Sequence, residues 1–164
     1  MRRLAVLLVV LGVGCGGRQR PGALIPQTPN EALSKFMDAV KANDLTRMGD
    51  LWGSERGPAS SYMDRNNLKR QLTTIQIYWN HTGYRIIEGP LAAQPLNPTF
   101  KNVPSADRLR DFRVDFQRPS GCNQAALLTV VRTNSGGWLV YDVHLETVGN
   151  PQARCQPTGS GTRE

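Results

Sequence analysis

The chain has 164 residues, 39% of them hydrophobic and 20% charged, with a formal net charge of +7. That is one domain's length with enough apolar content to bury a core, which excludes a disordered or fibrous protein. The cationic surplus does not make a nucleic-acid binder, because Asp107, Arg108, Arg110, Asp111, Arg113, Asp115 and Arg118 alternate in sign; a nucleic-acid footprint gathers its cations on one face, with aromatic platforms between them.

Met1-Arg2-Arg3 is a short basic start, and residues 4–13 form an uninterrupted apolar run of ten. Ten residues suit the apolar region of a signal peptide and fall short of the roughly 20 that span a bilayer. Gly12, Val13 and Gly14 then lead into Cys15. The segment resembles a bacterial lipoprotein signal, in which the cysteine becomes the lipid-modified first residue of the mature chain. The resemblance implies export and acyl chains on Cys15. Each buried methylene contributes about 0.8 kcal/mol, so two or more chains tether a protein that does not itself span. Gly16 after the cysteine resembles lipoproteins sent to the outer membrane, which places the protein on its periplasmic side where the organism has one. An ordinary signal peptide that discards Cys15 is the alternative. The expected organisation is a signal peptide over 1–14, a flexible tether over 15–27, a domain over 28–150 and a polar tail over 151–164. Under the lipoprotein reading the compartment permits disulfides, and of three cysteines Cys122 and Cys155 remain once Cys15 carries lipid. A Cys122–Cys155 bond would pin the tail and stabilise the fold by about 3.7 kcal/mol in the chain-entropy account; two free buried thiols are the alternative. There is no CxxC, and neither His81 nor His144 stands at ligand spacing with a cysteine, so no metal and no cofactor is expected.

Thr28-Pro29-Asn30-Glu31 is a capping box opening a helix whose apolar stripe is Leu33, Phe36, Met37 and Val40. Asp44 caps a second, shorter helix carrying Leu45, Met48, Leu51 and Trp52. Residues 53–61 are a Gly/Pro/Ser break, and a third helix is expected over about 62–79 with Leu68, Leu72, Ile75 and Trp79 inward. Residues 73–79 are β-branched and aromatic enough to be extended instead. From Tyr84 the period changes to that of strands. The first strand is broken at Gly89-Pro90 and continues past a bulge. In the second, residues 108–118, Phe112, Val114 and Phe116 alternate with charged residues, and Leu109, out of phase, suggests a bulge near Arg110. The third, residues 125–131, is apolar on both faces; Asn134-Ser135-Gly136-Gly137 is a hairpin turn. The fourth is expected over 138–148, with Leu139, Tyr141, Val143 and Leu145 toward the helices and Asp142, His144 and Glu146 on the opposite face.

Three helices followed by four antiparallel strands make an α+β fold. The first helix, the Ala42-Asn43-Asp44-Leu45 step into the second, and the last strand Gly136-Gly137-Trp138-Leu139-Val140-Tyr141-Asp142-Val143 resemble the nuclear transport factor 2-like (NTF2-like) superfamily. The resemblance is closest to its small secreted lipoprotein members and covers residues 28–148. It implies a curved four-stranded sheet wrapping the helices into a cone. It implies a fold better than an activity, since the superfamily holds enzymes, binding proteins and interaction modules.

Enzymes of that superfamily place acidic, Tyr or His groups inside the cone. Asp142 and His144, with Glu146, would form an acid–base pair, but the alternation turns them to the outer face. His81, at the junction of helix and sheet, is the better candidate for the cavity mouth, with Tyr84, Trp52 and Trp79 around it; one histidine makes no constellation. No Gly-rich phosphate loop, HExxH or GxSxG is present. The expectation is a lipid-anchored envelope module that binds a partner protein or an apolar small ligand without chemistry, with a homodimer formed through the outer sheet face. A small isomerase or hydrolase using a His/carboxylate pair is the alternative.

Overall fold

A computed structural model of the chain describes residues 25–93 and 103–152. The signal segment, Cys15 and Cys155 lie outside the described residues. The fold is α+β: a four-stranded antiparallel sheet and a few helices.

Helix α1 (Pro29–Lys41) begins where the capping box places it. Thr28 Oγ1 accepts the Glu31 amide at 3.2 Å, and the Glu31 carboxylate accepts the amide of Gln27 at 2.8 Å, one residue before the cap. Ala32, Leu33, Phe36, Met37, Ala39 and Val40 are buried. Asn43, with a φ of 53°, turns the chain into α2 (Leu45–Leu51), whose first turn is capped by Asp44. The break that follows contains a small ribbon, β1 (Gly53–Ser54) with β2 (Gly57–Pro58), and a 3-10 turn. Helix α3 (Arg65–Trp79) starts three residues later than the apolar spacing suggests, because the Asp64 carboxylate caps the amides of Asn66 and Asn67. It stays helical through residues 73–79. Thr73 and Thr74 donate their hydroxyls back to the carbonyls of Lys69 and Arg70, so the β-branched residues are held within the helix.

The sheet runs β3 (Gly83–Ala92), β4 (Leu109–Gln117), β5 (Asn123–Arg132), β6 (Trp138–Asp142), in that order. The register between β3 and β4 slips between Ile86 and Glu88 and again between Glu88 and Leu91, where Gly89-Pro90 interrupts the strand. Gly89 needs its glycine: φ is 120°, and a Cβ there would meet the Asp111 carbonyl at 2.7 Å. The β4–β5 register is unbroken, so the bulge expected near Arg110 is not there. Leu109 is out of phase for another reason. With Val131, Leu139 and Ala93, and with Ile25 and Tyr141 packed against them, it forms a second apolar cluster on the sheet face away from the helices. The main core lies on the other face, where Phe112, Val114, Phe116, Leu128, Val130 and Val140 meet the buried sides of α1, α2 and α3.

The fourth strand corrects the expectation twice. Over the strand itself its phase is opposite: Val140 packs with the helices, while Leu139 and Tyr141 join the far-side cluster; Val143 and Leu145, past the strand's end, pack with the main core as expected. It is also shorter. Tyr141 is skipped between the Val130–Val140 and Thr129–Asp142 pairs, and the chain then leaves the sheet for α4 (Leu145–Val148). His144, in a left-handed conformation with φ 39°, makes that turn, its amide held at 3.0 Å by the Asp142 carboxylate.

Candidate functional site

The residues expected at a cavity mouth are mostly part of the core. Trp79 is fully buried, stacked on Phe116 with ring centroids 5.1 Å apart, and its indole N–H donates to the Val143 carbonyl at 2.9 Å. Trp52 is half-buried and donates to the Tyr141 carbonyl at 3.2 Å; it makes no ring contact with the others. His81 is 3% exposed and meets Tyr84 and Phe116 edge-on, at centroid distances of 5.6 and 6.2 Å. The structure thus brings Trp79, His81 and Tyr84 together around Phe116. What they enclose is packed side chain.

His81 has one hydrogen bond. Its Nδ1 lies 2.9 Å from the Trp79 carbonyl oxygen, which can only accept, so Nδ1 carries the proton. Nε2 then holds a lone pair with no partner, and is the buried side-chain polar atom left without one among the described residues. Burial pushes the imidazole below its ordinary value; Lys41 adds to this, while the Trp79 carbonyl and Asp38 oppose it. The same burial, with Asp38, raises the Tyr84 phenol.

The second histidine lies on the far side of the sheet, in an opposite setting. His144 is 7% exposed, not solvated as a continuing strand would make it. Its Nε2 is 2.8 Å from Thr129 Oγ1, and Thr129 in turn donates to Asp111 Oδ1 at 2.6 Å. Its Nδ1 is 3.0 Å from Glu146 Oε1. Thr129 gives its one proton to Asp111, so its Oγ1 is left to accept a proton from Nε2. The Glu146 carboxyl is held below its usual range by its own backbone amide and then by His144. Sequence reasoning named Asp142, His144 and Glu146 but had no means to find Thr129 and Asp111, which come from β5 and β4. The available signal was the short spacing of Asp142, His144 and Glu146, which a turn joins as readily as a strand does.

Glu146-His144-Thr129 has the order of an acid–base–hydroxyl relay. As a nucleophile, though, Thr129 is closed off: it is 2% exposed and its proton is committed to Asp111. The accessible end of the relay is Asp111. It lines a groove of about 330 Å³ with Glu88, Leu91, Ala92, Phe112, Arg113 and Leu127, on the far face between β3, β4 and β5. Its lining is apolar at Leu91, Ala92, Phe112 and Leu127 and charged at Glu88, Asp111 and Arg113. Among the described residues no group of three His, Cys, Asp or Glu side chains is placed to hold a metal ion, and no helix is long and apolar enough to cross a membrane.

No protein-family model matches the chain, and no curated protein matches it. Among solved structures, it is similar to a "Putative NTF2-like transpeptidase" from Campylobacter jejuni. The identity is 13% and the TM-score 0.45, over 70% of this chain and 99% of that one. At that distance nothing about activity passes from that protein to this chain.

Proposed function

We propose that this is a lipid-anchored cell-envelope protein whose NTF2-like cone domain acts as a non-catalytic binding module. The observation that carries the reading is the filling of the helix side of the sheet. Where a cone-fold enzyme needs a polar cavity, Trp79, Phe36, Phe112 and Phe116 are packed to 1% exposure or less. The surface offered for binding is the far-face groove, with Leu91 and Leu127 for apolar contact and Glu88, Asp111 and Arg113 for orientation. Its ligand is an envelope protein or an apolar small molecule. Lipid on Cys15 keeps the domain at the membrane, the first 14 residues are the export signal, and a Cys122–Cys155 bond fastens the tail.

Three measurements test this. A fatty-acid analogue fed to cells should label the protein, and Cys15→Ala should abolish the label; label that survives rejects the anchor. Mass spectrometry with and without reductant should find a Cys122–Cys155 peptide pair. A photo-crosslinking residue at Leu91 should capture a defined envelope component, while one at Ile77, equally apolar and exposed on the outer side of α3, should not. Equal capture from both positions removes the groove from the account. The competing reading, a small hydrolase or isomerase, draws on the unpartnered Nε2 of His81. A turnover lost in His81→Gln with the fold intact would replace the binding reading.

A further inference from the structure

The irregularity of β3 decides what its far face carries. From Ile86 to Glu88 the strand advances two residues while β4 advances one, from Val114 to Arg113; from Glu88 to Leu91 it advances three against two, from Arg113 to Asp111. In a regular strand Arg85, Glu88 and Leu91 would alternate between the faces. The extra residue in each interval brings all three to the side of Asp115, Arg113 and Asp111, away from the helices. Gly89 permits the second interval, because without a Cβ the backbone can lie against the Asp111 carbonyl and Phe112. Two rows of facing residues then cross β3, β4 and β5: Leu91, Asp111 and Thr129, and beside it Glu88, Arg113 and Leu127. The far-face groove is built on them.

The charges along these rows are not balanced. Arg85 holds Asp115 at 2.9 Å, and Arg113 faces Glu88 at 4.0 Å. Asp111 has no Lys or Arg partner among the described residues, so the groove lining carries two carboxylates against one guanidinium. Asp111 is held from behind. Thr129, 2% exposed, donates to its Oδ1 at 2.6 Å, and His144 backs Thr129 at 2.8 Å. The second oxygen, Oδ2, has no protein partner among the described residues. A carboxylate fixed at one oxygen and open at the other is prepared to accept from a ligand. An anion is disfavoured in the same place: Arg113 already faces Glu88, and Asp111 would repel the newcomer.

We propose that the far-face groove binds a small primary amine, its ammonium on Asp111 Oδ2 and its apolar body against Leu91 and Leu127. The inference rests on the binding reading of this groove and names the ligand's chemical class. A volume of about 330 Å³ is that of a small-molecule site. The ammonium–carboxylate contact is a charge-assisted hydrogen bond, and the apolar body leaves water where it covers the two leucines.

Photolabelling of the purified full chain in a non-ionic detergent tests it. The probes are alkyl chains of equal length that carry the same diazirine and end in an amine, an alcohol or a carboxylate. Mass spectrometry should place the amine's label around Leu91 and Leu127, at about tenfold the yield of the carboxylate. Asp111→Asn should lower the amine's label about tenfold and leave the alcohol's unchanged. Asp115→Asn, whose carboxylate is already held by Arg85, should leave all three as they are. Circular dichroism checks that each variant is folded. Where Asp111→Asn is not, Leu91→Lys, at a position 46% exposed, takes its place and should abolish the amine's label by setting an ammonium of the chain itself beside Asp111. Equal labelling by amine and carboxylate, a label outside the groove, or an amine preference that survives Asp111→Asn each overturns the proposal. The two readings fail separately. No amine preference, with capture from Leu91 still distinct from Ile77, overturns the amine and leaves the binding module. A selective amine label with equal capture from both positions upholds the amine site and removes the protein partner.

Discussion

The two faces of the sheet each bury a histidine, and they bury them in opposite ways. His81 sits among Trp79, Phe116 and Tyr84 with one bond to a carbonyl and an unused lone pair. His144 sits among Thr129, Asp111 and Glu146 with both nitrogens engaged. Similar burial therefore carries different meanings. The first ring acts as an apolar wedge that carries a polar cost; the second is a connector whose removal strands its neighbours. Two cores follow the same division, a large one under the helices and a small one on the far face around Leu109, Val131 and Leu139.

The largest expected effect breaks the helix-side core. Trp79→Ala removes a fully buried ring, its stack on Phe116 and its bond to Val143, and should cost about 3–5 kcal/mol in chemical denaturation. A loss near that of an exposed substitution would mean that the helices do not close on the sheet. The next contrast is between the two histidines. His144→Phe leaves Thr129 and Asp111 without the imidazole in a buried setting and should cost about 2–3 kcal/mol. His81→Phe gives up one bond but also removes the unsatisfied Nε2, and should stay within about 1 kcal/mol of wild type. Equal costs would erase the distinction.

What could be read in the sequence follows the same line between local and non-local signals. Thr28, Asp44 and the 28–41 stripe act on residues within one or two turns, and they placed two helices closely. Phe112, Val114 and Phe116 alternate within one strand, and their burial came out as read. The last strand was misread because both alternations of 138–145 contain apolar residues. Only the partner chosen by β5 decides that Val140, and not Leu139, faces the helices. Leu109 looked misplaced for want of Ile25 and Leu139, which come from other parts of the chain. The His144 network was half legible: its acids are neighbours in sequence, but its centre, Thr129, is 15 residues away.

Acidity should separate the faces further. The His81 ring titrates below its ordinary value of 6.5 because burial disfavours its charge. The folded protein therefore binds fewer protons at His81 than the unfolded chain does. Its contribution is complete above the unfolded value and is lost as pH falls below 6.5 toward the depressed folded value. Tm should decline from about pH 7 to about pH 5, and His81→Gln should flatten part of that decline. An unchanged slope in the variant would mean that the acid sensitivity arises elsewhere.

The smallest effect on stability is the sharpest test of the far face. Leu91 and Val114 lie on adjacent strands, one lining the groove and one in the core. Leu91→Asp changes a side chain that is 46% exposed and should move stability by no more than about 0.5 kcal/mol. Val114→Asp buries a carboxylate among apolar side chains and should prevent folding. If the groove binds an apolar partner, Leu91→Asp should abolish capture by a crosslinker placed at Leu127 while the melting curve stays in place. Retained capture would mean that Leu91 is an ordinary exposed leucine, and the binding surface would have to be sought on another part of the molecule.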